Sequence, residues 1–158
     1  MTRRNSKGFT LIETMVAMAV IGAGMLLAAR MQLMAIQNTQ GGYMRAQAAY
    51  AGYEVIDRMR TNIPALSGGD YDIASATATP TSIACTGATA DCSSAQMAQA
   101  DQFWWRQTLS QTLPSGNGAI TTTDSGDFTT VTVDITWIDP YTAADGAEQT
   151  TIVAELPQ

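Results

Sequence analysis

Phe9-Thr-Leu-Ile-Glu-Thr-Met-Val-Ala-Met-Ala-Val-Ile-Gly-Ala-Gly-Met-Leu-Leu-Ala-Ala29 decides how the chain is read. These 21 residues carry one charge, Glu13, and it sits near the start of the run. About 20 apolar residues rising about 1.5 Å each span the hydrocarbon of a bilayer. Arg3, Arg4 and Lys7 precede the run and only Arg30 flanks its far side, so the charge bias places the N-terminus in the cytoplasm. A carboxylate at membrane depth costs a few kcal/mol on the mildest scales, about 3 for an acid at a helix centre, so Glu13 requires a partner. An ordinary secretory signal has an apolar region of about 7–15 residues ending at small residues spaced A-x-A. Here the run is longer, an acid interrupts it, and Leu27 stands where a small residue is wanted.

Helical character continues from the apolar run to about Asn62. Ala46, Ala49, Tyr53, Ile56, Arg60 and Ile63 recur at helical spacing, mostly apolar, while Arg45, Gln47, Glu54, Asp57 and Arg58 take other faces. Such a helix, residues 9–62, is roughly 80 Å long. Gly41-Gly42 is its weak point, each glycine costing about 1 kcal/mol relative to alanine, and a bend is expected there. Pro64 lies just past the stop.

Ala65–Ser94 reads as an irregular connection rich in Thr, Ser, Ala and Gly. Ser93-Ser94-Ala95-Gln96 forms a capping box that opens a helix running to about Thr112, before Leu113-Pro114-Ser115-Gly116. Three strands follow. Ala119–Thr123 leads into the turn Asp124–Asp127. Thr129–Ile138 alternates, with Val131, Val133, Ile135 and Trp137 on one face. Thr150–Leu156 puts Ile152, Ala154 and Leu156 together. The short connections favour an antiparallel meander whose apolar face packs on the C-terminal half of the first helix. The fold class is therefore α+β.

The chain has no histidine, which removes the commonest general base and metal ligand. Cys85 and Cys92 are its two cysteines. Without histidine they make a poor zinc site; in an oxidising compartment they read as a disulfide closing a small loop, and with inverted topology as free thiols. Asp139, Asp145 and Glu148 share a loop but match no calcium-loop spacing and read as a solvated turn, as does Asp70-Tyr71-Asp72. Phe103-Trp104-Trp105 reads as core of an amphipathic helix. Nucleic-acid stacking is disfavoured by the scarcity of positive charge around it and by a net charge of −6. No cofactor or metal is expected.

Gly8-Phe9-Thr10-Leu11-Ile12-Glu13, after a short basic leader and before an apolar helix, resembles the processing site of type IV pilins and related pseudopilins. The resemblance implies the pilin fold, a long N-terminal helix packed on a small antiparallel sheet. It divides the chain into a cleaved leader (1–8), a transmembrane half-helix (9–29), an amphipathic half-helix (30–62) and a periplasmic head (63–158). A membrane-embedded prepilin peptidase would cut between Gly8 and Phe9 and methylate the new amine on Phe9. That amine lies one helical turn from Glu13, so the acid pairs with its own terminus or a neighbour's; the second pairing fixes the stagger between subunits. Loss of the leader removes eight residues and three of the eight basic ones, leaving five against fourteen acidic, net −9, with no lysine.

Asp57-Arg58-Met59-Arg60-Thr61-Asn62 looks like the end of the first helix in minor pilins of the PilV type. So do the cysteine pair before a Trp-bearing helix, Leu113–Gly118, and Val133–Trp137. The resemblance gives Asp57, Arg58 and Arg60 either a subunit-contact or a sheet-anchoring role, the alternative being a plain charged helix end. It implies a non-catalytic subunit at or near the pilus tip that primes assembly and serves adhesion and twitching motility. Its partners would be other minor pilins, the major pilin, the inner-membrane assembly platform and a tip adhesin. It would sit in the inner membrane before assembly and on the pilus afterwards. The helix-breaking proline of major pilins is absent from the apolar run. The alternative is a minor pseudopilin of a type II secretion system. A membrane-anchored enzyme finds no histidine and no mature lysine to work with.

Overall fold

In the computed structural model the described residues are 10–75, 77–82, 84–85, 91–141 and 147–157. They form three helices followed by three strands. Helix α1 spans Leu11–Arg60, 50 residues rich in Ala, Met and Leu and free of proline. Helical hydrogen bonding runs through Gly41-Gly42. The chain divides into two compact units there, one ending at Gln40 and the other starting at Gly41. A β-carbon on Gly41 would lie 3.1 Å from Asp139 Oδ2, so this glycine admits a close approach of the segment after the second strand.

Before Gln40, α1 is long and apolar enough to cross a membrane, with a mean hydropathy of 2.0 over its best window. Its side chains are exposed all round, Leu11 at 77%, Met18 at 74% and Leu26 at 75%. From Gly41 onward a stripe is buried: Met44, Ala48, Ala51, Gly52, Val55, Ile56 and Met59. This corrects the expected stripe. Of its members only Ile56 is buried; Ala46, Tyr53 and Arg60 are exposed and Ala49 and Ile63 half-buried. The shift is about one residue step around the helix, and alanines stand at both sets of positions.

The helix ends at Arg60 in tightened i→i+3 bonds, Thr61 N to Arg58 O and Asn62 N to Met59 O. Pro64 does not mark open loop beyond it. It sits in the first turn of a short helix, α2, Ile63–Ser67, where proline's fixed φ and missing N–H fit. Gly69, at φ 73°, turns the chain after it. Helix α3 spans Ser94–Thr112 and opens on the anticipated box: Ser93 Oγ accepts from Gln96 N, and Gln96 Oε1 accepts from Ser93 N.

Strands β1 (Asn117–Asp124), β2 (Phe128–Trp137) and β3 (Glu148–Pro157) form an antiparallel meander in that order. Ile120 pairs with Val133 and Val133 with Ile152. At the β1–β2 turn Gly126, at φ 91°, donates its N–H to Asp124 Oδ1. Val131, Val133, Ile135, Trp137 and Leu156 point inward with Ile120, against the α1 stripe and against Trp105 and Leu109 of α3. The result is a two-layer α+β head in which the Gly41–Arg60 stretch of α1 packs on a three-stranded antiparallel sheet.

Candidate functional site

Gly8 and Phe9 lie outside the described residues. Glu13 stands in the first turn of α1, where its N–H donates to Thr10 O at 3.1 Å and its side chain is exposed. The free N–H groups of a helix start favour a negative charge there. Thr14 turns its hydroxyl back to Leu11 O, so Glu13 is the one charged group in an apolar sleeve that reaches Ala29. Met15, Met25, Met31 and Met34 are part of that exposed sleeve.

At the other end of α1 the three charged residues separate. Arg58 reaches Glu54 at 2.7 Å and Asp101 of α3 at 3.2 Å. These bonds raise its already high pKa, the Glu54 hydrogen bond most, against the opposing effect of burial. Arg58 thus ties α1 to α3 and not to the sheet, which corrects the sheet-anchoring expectation. Asp57 and Arg60 pair with each other at 2.9 Å on the surface, an exposed pair of little energetic weight. Arg58 also borders an open pocket of about 330 Å³ with Asn62, Ser94 and Asp101.

Behind Arg58 lies a network that the sequence does not announce. Tyr71, fully buried, donates to Asp101 Oδ2 at 2.8 Å. Asn62 donates to Tyr71 Oη at 3.2 Å and to Ser94 O at 2.9 Å. Burial pushes the Tyr71 phenol well above its ordinary value, reinforced by the Asp101 carboxylate and opposed by the Asn62 donor. Asp70 and Asp72 are exposed at a turn, as expected, while Tyr71 between them is buried and departs from the solvated-turn reading. Asp72 Oδ1 also accepts from Thr122 N and Oγ1, tying the segment to β1. Apart from Asn62–Tyr71, which spans 9 residues, the contacts span 30 to 50, and the one local signal was an aromatic between two acids.

Cys85 and Cys92 are joined in a disulfide, with no free cysteine. The segment ahead of it is moored on α3. Arg106 donates to Ala74 O at 2.6 Å and Thr77 O at 2.7 Å, and its burial lowers its pKa. Gln99 donates to Thr81 O at 3.3 Å. The aromatic triplet splits: Trp105 is core and donates its indole N–H to Ala51 O at 3.1 Å, while Trp104 is 45% exposed and stacks edge-on with Phe103. Asp139 is buried and accepts from Tyr141 N, and Glu148 pairs with Arg45 at 3.2 Å, so neither belongs to a solvated turn; Asp145 lies outside the described residues. Among the described residues no three acidic, histidine or cysteine side chains converge on a metal-sized site.

No curated protein and no solved structure matches the chain significantly. Two family models do. The prokaryotic N-terminal methylation motif matches residues 3–29, the basic residues before the apolar run and the run itself with Glu13. The type IV pilin Tt1218 family matches residues 30–103, the rest of α1 through most of the first turns of α3. The two matches abut, and the helix-on-meander head completes the architecture, so the chain is a pilin subunit, a member of the type IV pilin family.

Proposed function

We propose that the protein is a minor pilin of the PilV type: a non-catalytic assembly subunit, incorporated at or near the tip of a type IV pilus, that helps other minor pilins prime the filament. In this reading residues 1–8 are a leader cut by prepilin peptidase between Gly8 and Phe9, and the Phe9 amine is methylated. Residues 9–29 hold the subunit in the inner membrane with the N-terminus cytoplasmic, residues 30–62 complete the helix, and residues 63–158 form the periplasmic head. The observation that carries it is Glu13, a lone carboxylate in the first turn of α1, whose apolar side chains are exposed on every face up to Gln40. A charge in that setting is stable only beside an opposite one, and a cleaved Phe9 supplies an amine one turn away.

The head supports a structural role. Tyr71, Asp101, Asn62 and Arg58 bond one another, and no histidine is present to shuttle protons. The absence of proline from the apolar run supports a subunit other than the bulk shaft pilin. The test is a pair of substitutions in a piliated host. Gly8→Ala blocks processing, so its mass exceeds that of the mature protein by the leader; equal masses overturn the processing step. Glu13→Ala is processed and inserted but fails to enter sheared pili, and normal incorporation overturns the charge pairing.

A further inference from the structure

The two edges of the sheet are treated differently. On β1 the outward N–H groups are covered one after another. Gly118 N–H donates to Asn117 Oδ1 at 2.8 Å, Ile120 exchanges both backbone bonds with Ile73, and Thr122 N–H donates to Asp72 Oδ1 at 2.6 Å. Because Ile120 faces away from β2, the alternation of an antiparallel ladder sets the rest. Val133 bonds Ile152, and the N–H and C=O groups of Gln149, Thr151, Val153 and Glu155 face off the far edge of β3. Among the described residues nothing bonds these four amides. Their side chains are exposed, Val153 at 61%, in a strand of 10 residues. A strand of this length with an unprotected edge is a template for another strand.

We infer that the β3 edge is a docking site for an extended, cation-bearing segment of a different protein, which pairs with Gln149–Glu155 and adds a fourth strand to the sheet. Charge selects this occupant. Glu155 is exposed and has no ion-pair partner among the described residues, and Asp134 on the adjoining strand accepts only from the neutral side chains of Gln149 and Thr151. None of the chain's own strands holds a lysine or arginine, and the whole chain carries −6. A second copy would bring its own acids to an acidic edge, and its β1 edge is already covered. A β-branched residue beside Val153 and a cation beside Glu155 complete the complement. The inference goes beyond the minor-pilin reading and rests on the head alone, so the processing and incorporation tests neither carry it nor remove it.

The test is amide hydrogen exchange on the full chain in detergent micelles. The probe is the synthetic peptide Lys-Thr-Val-Thr-Lys-Thr-Val-Lys, compared with the same peptide bearing Glu at each Lys. With the lysine peptide, exchange at Thr151, Val153 and Glu155 slows about tenfold while Ile152 and Ala154, already in the ladder, are unchanged. The glutamate peptide has no effect. Glu155→Lys reverses the preference between the two peptides. Val153→Pro removes one outward N–H without touching the β2 ladder and abolishes the protection. No slowing with the lysine peptide overturns the inference, as does equal slowing with both peptides or an unreversed preference in Glu155→Lys. Slowing that grows with protein concentration in the absence of peptide overturns it in favour of a second copy.

Discussion

The stretches of α1 on the two sides of the Gln40–Gly41 boundary differ in how they dispose of similar residues. Both are rich in alanine and methionine. Up to Gln40 the apolar side chains circle the helix and stay exposed; from Gly41 they narrow to a stripe that the head covers, with Arg45, Glu54, Asp57 and Arg58 on the remaining faces. A helix apolar all round is made for a non-aqueous setting, whereas a helix apolar on one side is made for a core. One continuous element thus satisfies two solvents, and the change of pattern coincides with the boundary between the compact units.

Methionine substitutions test that contrast most sharply. Met59 is fully buried, so Met59→Ala lowers head stability by about 3 kcal/mol in urea unfolding. Met25→Ala, on the exposed sleeve, changes it by less than about 0.5 kcal/mol. Equal effects of the two would erase the distinction between the halves. Replacing Cys85 and Cys92 by serine costs about 2.5 kcal/mol by the loop-entropy estimate for so short a ring, read as a urea midpoint below that of the oxidised wild type. Ser93→Ala removes the oxygen that caps α3 and costs about 1 kcal/mol.

The smallest effect at neutral pH is the alkaline one. The Tyr71 phenol is raised in the folded head, so the stability it lends is complete below its unfolded value of about 10 and is lost as pH rises past that value. Wild-type stability should therefore fall between about pH 9 and 11 more steeply than that of Tyr71→Phe, followed by the urea midpoint across that range. Parallel slopes would show that the Tyr71–Asp101 bond does not govern alkaline unfolding.

The sequence disclosed what short-range chemistry controls. The strict alternation of Val131, Val133, Ile135 and Trp137 required a one-sided strand, and the Ser93/Gln96 pair required a helix start; both are found where that chemistry puts them. The buried side of α1 was harder to read. Alanines at 46 and 49 look no different from those at 48 and 51 until Ile135 and Ile152 choose the face by closing on Gly52, where a β-carbon would meet Ile152 Cδ1. Pro64 carried two meanings, a stop or a first helical residue, and only the packing of Ala65 and Leu66 into the core decides between them. The Arg58–Asp101–Tyr71–Asn62 network was illegible for a plainer reason. Its members come from three separate segments, and no local pattern pairs them. At the N-terminal end the composition spoke clearly, since a lone acid in a greasy run leaves few explanations.

Trp105 and Trp137 are buried in the core while Trp104 is 45% exposed, and all three lie beyond Gly41. Trp105 also sets its ring tip against Gly118, where an added β-carbon would approach within 2.4 Å. The protein therefore carries its own optical gauge. Its intrinsic fluorescence registers the opening of the head and is blind to the fate of the stretch before Gln40, so the two halves of a single helix are distinguishable in one cuvette without any label.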